Sequence, residues 1–252
     1  MSLLNKLGIG AGGRASRNVV HHAPAGNNAG QHRGSGSQAA AAGANRTSQA
    51  DQTNRVSNGL KEFLWNLDGL GRGTLLDLGP AWQTTLNFFI DRGFRVTSDD
   101  LLKSWKDFLT EEELRVQKAA TSSDNIDLTP AGRAARFVQS NIQYAPSSFD
   151  AVLLWDILDY MEPAVAKQTV SSLTELLRPG GIVFAMFHSK KPECFQRYRV
   201  ADSSTLQVIG TTPVVPAQRV YQNREIQELF NRFRTVKSFV GRDQLRESLF
   251  VK

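Results

Sequence analysis

The sequence predicts an α/β protein, a mostly parallel sheet with helices on both faces. Three observations predict it. From residue 60 onward, strand-length apolar runs alternate with amphipathic stretches, the order that builds a parallel sheet. The runs TLLDLG, SSFDAVLLW and GIVFAMF read as buried strands covered on both sides. The chain ends on two alternating segments, TVKSFVG and ESLFVK, that suit an antiparallel hairpin.

The 252 residues, 40 % of them hydrophobic and 9 % aromatic, suffice to bury a core. No run approaches the roughly 18 apolar residues of a membrane-spanning helix, so a soluble, cytoplasmic protein is expected. The single cysteine, Cys194, excludes a disulfide framework and a cysteine-cluster zinc site, and no metal is expected. The net charge of +6 is unevenly spread. Residues 1–59 hold six cations and one acid, leaving 24 cations against 23 acids from Leu60 onward. A body so close to neutral gives no strong nucleic-acid signal.

The same first 59 residues hold 10 of the 20 glycines, three of the four histidines and no aromatic residue. Such a segment cannot offset its ordering entropy by burial. Residues 1–57 are therefore expected to be a disordered, low-complexity basic arm, and 58–252 the folded domain.

Folding is expected to begin with LKEFLWNL, where Leu60, Phe63, Leu64 and Leu67 share one helical face. TLLDLG follows as a strand, then AWQTTLNFFIDRG as a helix stopped at Gly93. FRVTS is the next strand, with Asp99 and Asp100 at its carboxyl end. Residues 101–134 read as mostly helical, with a capping box at Thr110 and Glu113, and TSSDNIDLTP breaks the pattern. ARFVQSN is expected as a short strand and SSFDAVLLW as a buried one. EPAVAKQTVSSLTELL reads as a helix opened by Pro163 and closed by RPGG, with GIVFAMF as the strand after it. NREIQELFNRF is a helix ahead of the final hairpin.

In an open α/β sheet, ligands bind beyond the carboxyl ends of strands, where strand order reverses. Gly79, Asp100, Asn141 and the pair Trp155-Asp156 fall at such ends. A glycine lets backbone approach a ligand closely, and a carboxylate can accept both hydroxyls of a ribose. A side-chain amide suits an adenine edge, and an apolar or aromatic neighbour suits its face.

LLDLG at 75–79, an acid 23 residues after Asp77, FVQSN ahead of FDAVLLWDILDYM, and ELLRPGGIVFAMF resemble the class I S-adenosylmethionine-dependent methyltransferases, small-molecule enzymes among them. The resemblance covers about Leu60 to Lys252. It implies a seven-stranded, mostly parallel Rossmann-like sheet with an antiparallel C-terminal strand. It also implies S-adenosylmethionine as cofactor and methyl transfer as activity. Asp77, Gly79 and Pro80 would then lie near the cofactor's amino acid part. Asp100 would hold the ribose, with Asp99 in reserve, and Asn141 and Ile142 the adenine. Trp155 and Asp156 would line the pocket near the methyl group.

The chain departs from that family in two places. Three alternate glycines become Gly79, Ala81 and Gln83, with Trp82 adding bulk, and Asp159-Tyr160 stand where relatives commonly carry Glu-His. Each singled-out residue also has a plainer reading. Asp100 can cap the helix starting LLKSW, Asn141 can be a turn residue and Trp155 ordinary core. His188 can be a surface loop residue and Cys194 inert. Asp156, Tyr160 and His188 are the candidates for a base, with no catalytic residue assigned.

The acceptor is unidentified, a small molecule being favoured. It would be held by residues 103–134 and by the segment after GIVFAMF, where TLQVIGTTPVV can form a lid or hairpin. Two other function classes stay open. One is a catalytically inactive binding or scaffold protein of the same fold. The other, a nicotinamide-dependent oxidoreductase, needs glycines where this chain has Ala81 and Thr84.

Overall fold

The computed structural model of the chain describes residues 52–119 and 127–252. The elements are β1 (Gln52–Val56), α1 (Asn58–Leu67), β2 (Gly73–Asp77), α2 (Gln83–Ile90), β3 (Phe94–Ser98), α3 (Leu101–Ala119) and α4 (Pro130–Asn141). Then come β4 (Phe149–Trp155), a 3-10 turn (Ile157–Tyr160), α5 (Pro163–Leu176), β5 (Leu177–His188), β6 (Gln196–Val200) and β7 (Thr205–Gly210). The chain closes with α6 (Asn223–Leu229), β8 (Arg234–Val240) and β9 (Leu245–Val251).

The main sheet has the order β3-β2-β4-β5-β9-β8. Its first four strands are parallel, and β9 runs antiparallel to both β5 and β8. Phe184 and Phe187 of β5 point to opposite faces. Phe184 meets Phe63 of α1 and Phe187 meets Phe230, just past α6, so helices cover both faces. A second, antiparallel sheet has the order β1-β7-β6. Its β6–β7 hairpin contains the TLQVIG run expected to form a lid or hairpin.

Among the described residues the main sheet counts six strands rather than seven. The expected strand ARFVQSN lies inside α4 instead. Thr129 caps that helix, its hydroxyl accepting the Gly132 N–H at 3.1 Å, and Pro130 preorganises the first turn. Ala134, Phe137 and Val138 then fall on one buried helical face. Thr110 and Glu113 open no helix, because α3 runs through them and the Thr110 hydroxyl donates back to the Lys106 carbonyl at 3.1 Å. In α2, Phe89 and Thr85 are buried whereas Ile90 is 53 % exposed, so the inward face is not the most apolar one.

Residues 1–51, most of the expected arm, lie outside the described residues, as do 120–126, most of the TSSDNIDLTP stretch. Gln52–Val56, assigned to the arm, form β1, with Gln52 opposite Ile209 and Val56 opposite Thr205 of β7. Four of these five residues are exposed. Backbone pairing holds the strand, together with Arg55, which ion-pairs with Asp243 at 2.7 Å and with buried Glu247. Among the described residues no helix is long and apolar enough to cross a membrane.

α1 starts under tight constraint. Ser57 Oγ accepts the Leu60 N–H at 2.9 Å, and the Glu247 carboxylate accepts the Gly59 N–H at 2.6 Å. A Cβ at Gly59 would lie 2.7 Å from the Glu247 Cβ and 2.8 Å from the Phe184 ring. Gly59→Ala should therefore destabilise the fold by about 1–3 kcal/mol, the usual range for overpacking. Urea denaturation checks this; an unchanged midpoint would mean that α1 shifts freely.

Candidate functional site

β2 lies between β3 and β4, so strand order reverses on it and its tip is the expected ligand position. Asp77 ends β2 and Gly79 follows two residues later. The neighbouring tip carries Asp99 and Asp100. The two tips are stitched together, Asp99 N–H donating to the Asp77 carbonyl at 2.8 Å and Leu101 N–H to that of Leu78 at 3.1 Å. A bare backbone and a carboxylate thus stand at adjacent strand tips.

The space directly over Gly79 is taken by the protein itself. A Cβ at Gly79 would meet the Trp155 indole nitrogen at 2.6 Å, so the indole lies directly over the glycine. Its N–H donates to Asp77 Oδ1 at 2.7 Å, and the same oxygen accepts the Gly79 N–H at 3.0 Å. A register shift between Leu153 and Trp155 and a φ of 54° at Trp155 turn the ring into this position. A left-handed backbone at a bulky residue costs roughly 1–3 kcal/mol and persists only where the surroundings hold it. Here Phe184 meets the ring edge-on at 6.0 Å and Tyr198 stacks on it at 6.1 Å. Burial pushes the Asp77 carboxyl up to about 6, with the Trp155 and Gly79 hydrogen bonds pulling the other way.

Tyr198 belongs to β6, and the small sheet forms a roof over the strand tips. From the same strand, Arg197 Nη2 reaches both oxygens of Asp100 at 3.2 Å. Asp100 also accepts the Lys103 N–H at 3.1 Å, capping α3 as its plainer reading supposes. Val200 N–H donates to buried Thr85 Oγ1 at 3.0 Å, fixing the roof to α2. The Tyr198 hydroxyl reaches Asp156 Oδ2 at 3.4 Å.

Other expected members take different roles. Gln83 does not narrow the crevice, because it is exposed and its amide donates to Asn87 at 2.6 Å. Pro80 is half-buried and its carbonyl accepts the Trp82 N–H at 2.8 Å. Trp82 lies under Arg199, whose guanidinium is 5.6 Å from the ring centroid. Asn141 ends α4 rather than a strand, and its amide donates to the Phe137 carbonyl at 2.9 Å, within its own helix. Ile142 beside it is buried. Asp99 accepts the Tyr144 hydroxyl at 3.1 Å, and burial raises its pKa.

A second group of ionisable residues lies at the tips of β4 and β5. His188 is 9 % exposed, not a surface loop residue. Its Nδ1 is 2.9 Å from Asp159 Oδ2, which also accepts its backbone N–H at 2.7 Å, and its Nε2 is 3.8 Å from Asp156 Oδ2. Burial opposes the charged imidazole, but the Asp159 bond and the Asp156 carboxylate outweigh it and raise the pKa. Asp156 is pushed up to about 7, chiefly by burial. His188 is a lone histidine 29 residues from Asp159, so no local pattern advertises the pairing. Arg197 and Thr85 were likewise missed, for want of any signal beyond a cation and a hydroxyl.

In the main sheet β2 lies between β3 and β4 and an antiparallel strand lies beside β5, the arrangement of a mixed Rossmann-like sheet. No family model and no curated protein matches the chain. Solved structures similar to it include the Burkholderia thailandensis 1,6-didemethyltoxoflavin-N1-methyltransferase with bound 1,6-didemethyltoxoflavin and S-adenosylhomocysteine. That pair is 17 % identical over 77 % of this chain and 78 % of the other, with a TM-score of 0.43. An S-adenosylmethionine-dependent methyltransferase from Mesorhizobium loti is 14 % identical over 76 % of this chain and 96 % of its own, at 0.41. One from Methanosarcina mazei is 14 % identical over 72 % and 93 %, at 0.39.

Asp77→Asn keeps an oxygen for Trp155 and Gly79 while removing a desolvated charge. With its pKa raised from 3.8 to about 6, folded Asp77 holds its proton more tightly than the unfolded chain does. Its contribution to stability therefore falls as pH rises from about 4 to about 6, by roughly 3 kcal/mol. Asp77→Asn should remove that slope, raising Tm at pH ~8 while leaving it near wild type at pH ~4. Thermal denaturation across this range checks the sign.

Proposed function

We propose that the protein transfers a methyl group from S-adenosylmethionine to a small-molecule acceptor, through a crevice that its own roof closes until Trp155 and Arg197 move aside. The observation that carries this reading is the adjacency of the bare Gly79 backbone and the Asp100 carboxylate at the point where strand order reverses. The donor chemistry suits a nucleoside: Asp100 can accept both ribose hydroxyls, and Gly79 admits close backbone approach.

With the crevice open, Asp77, Gly79 and Pro80 would hold the amino acid part and Asp100 the ribose. Asn141 and Ile142 would border the adenine, and Trp155 and Asp156 the reactive end. Bound there, the cofactor supplies a methyl group on a sulfonium carbon already activated for displacement. The chain has then to align the acceptor and exclude water, effects worth about 7–11 kcal/mol in well-oriented reactions. A roof carrying buried Tyr198 and Arg197 suits the second task. Of the three candidate bases, His188 has the orientation a base needs, its ring held by the Asp159 carboxylate.

A second reading, a catalytically inactive binding protein of the same fold, is favoured by Trp155. Its indole occupies the place of a ligand over Gly79, with its N–H satisfied and its ring packed by Phe184 and Tyr198. Titration calorimetry separates the two. Methyl transfer predicts weak S-adenosylmethionine binding by the wild type and at least about tenfold tighter binding by Trp155→Ala or Arg197→Gln, since the cost of displacing the plug falls. Asp100→Ala in the Trp155→Ala background should then weaken binding by about 1.5–3 kcal/mol. Absence of binding at millimolar concentration in the wild type and both single variants would establish the inactive reading.

A further inference from the structure

A cavity of about 500 Å³ lies at the other end of the main sheet, on the amino ends of its strands, and shares no lining residue with the strand-tip crevice. Gly73 on its rim and Asp77 are the two ends of β2, about 13 Å apart at the usual rise of a strand. Three arginines line the cavity against one carboxylate: Arg72 ahead of β2, Arg95 on β3 and Arg178 on β5, with Asp150 on β4. Arg95 stands opposite Thr74 in the β2–β3 register, so their side chains share a face of the sheet. Asp150 Oδ2 accepts the Thr74 N–H at 2.7 Å and its hydroxyl at 2.9 Å, and Arg178 Nη1 donates to the same oxygen at 2.6 Å. Burial opposes the charge on Asp150, but these bonds outweigh it and hold the carboxyl below its ordinary pKa. Asp150 is thereby committed to Arg178 and Thr74. Among the described residues, the exposed side chains of Arg72 and Arg95 have no hydrogen bond or ion pair.

We propose that this cavity binds a small organic phosphate, its phosphoryl group held by the three arginines. Like charges around one hollow repel each other, and an oxyanion between them turns that repulsion into attraction. The planar fork of an arginine suits phosphate, because it offers parallel N–H donors to two oxygens at once. Arg178 spends Nη1 on Asp150, whereas Arg72 and Arg95 bring complete forks. Ile90, 53 % exposed, and Phe94 give the same cavity an apolar side for the organic portion. Gly73 and Gly93 add only backbone to the lining, which leaves room for it. The volume falls within the range of small-molecule sites. None of these residues has a part in methyl transfer, so the proposal stands whether or not the strand-tip crevice takes a methyl donor.

The test uses the full chain with phenyl phosphate and inorganic phosphate as probes, titrated calorimetrically at constant ionic strength. Phenyl phosphate should bind at one site per chain, about tenfold more tightly than inorganic phosphate, because its ring reaches Ile90 and Phe94. Arg72→Gln and Arg95→Gln should each weaken phenyl phosphate binding at least about fivefold. Neither arginine has an ion pair to lose, so both variants should keep the wild-type Tm. Arg224→Gln, at a side chain 90 % exposed on α6, should leave the affinity unchanged. Absence of saturable phenyl phosphate binding, equal affinity for the two probes, unchanged affinity in Arg72→Gln and Arg95→Gln, or an equal loss in Arg224→Gln would each overturn the proposal. Tighter binding of a single-stranded oligonucleotide through the same arginines would assign them to nucleic acid and overturn it as well. No readout involves S-adenosylmethionine, so this site and the methyl-transfer reading fail separately.

Discussion

The hydrogen bond from the Trp155 indole to Asp77 constrains everything at the working end of the sheet. Asp77 is buried at the tip of β2, where an unpartnered carboxylate would be costly. It finds its donors in the Gly79 backbone and the indole, which can reach it only because Gly79 carries no side chain. Trp155 in turn accepts a left-handed backbone to make that reach. Once the ring is there, its outer face offers a platform for Tyr198, and the position of β6 follows.

The roof is held at its ends by polar groups. Arg197 on Asp100, Val200 on Thr85 and Arg55 on Glu247 tie it to α3, α2 and β9 respectively. The Arg197 side chain is only 8 % exposed, so lifting β6 without resolvating it leaves a buried cation unpaired. Such a loss is expensive, commonly about 3–5 kcal/mol when one partner of a buried pair is removed. The closed arrangement is therefore a stable one. Access to Gly79 requires the roof to move as a unit, or Trp155 to turn out on its own.

The apolar strands were legible because burial on both faces writes itself into composition: FDAVLLW and GIVFAMF have no solvent face to spend on polar residues. α1, α5 and the final hairpin were legible for a related reason, since periodicity and a helix-opening residue such as Pro163 act within a few residues. ARFVQSN misled because its apolar residues, Ala135, Phe137 and Val138, fit a helix as well as a strand over so short a span, and Thr129-Pro130 decided for the helix. β1 was invisible for the opposite reason: a strand of exposed polar residues held by backbone pairing has no side-chain signature.

The sequence by itself determined most strands of the main sheet and the placing of Gly79, Asp100 and Asp156 at strand tips, because these depend on local propensity and on residues close along the chain. Only the tertiary structure decided what lies against them. Asp77 and Trp155 are 78 residues apart, Asp100 and Arg197 97, and Gly59 and Glu247 188. Pairings of that reach are chosen by where whole elements pack, and a tryptophan or an arginine reads the same in sequence whether it faces a ligand or takes its place.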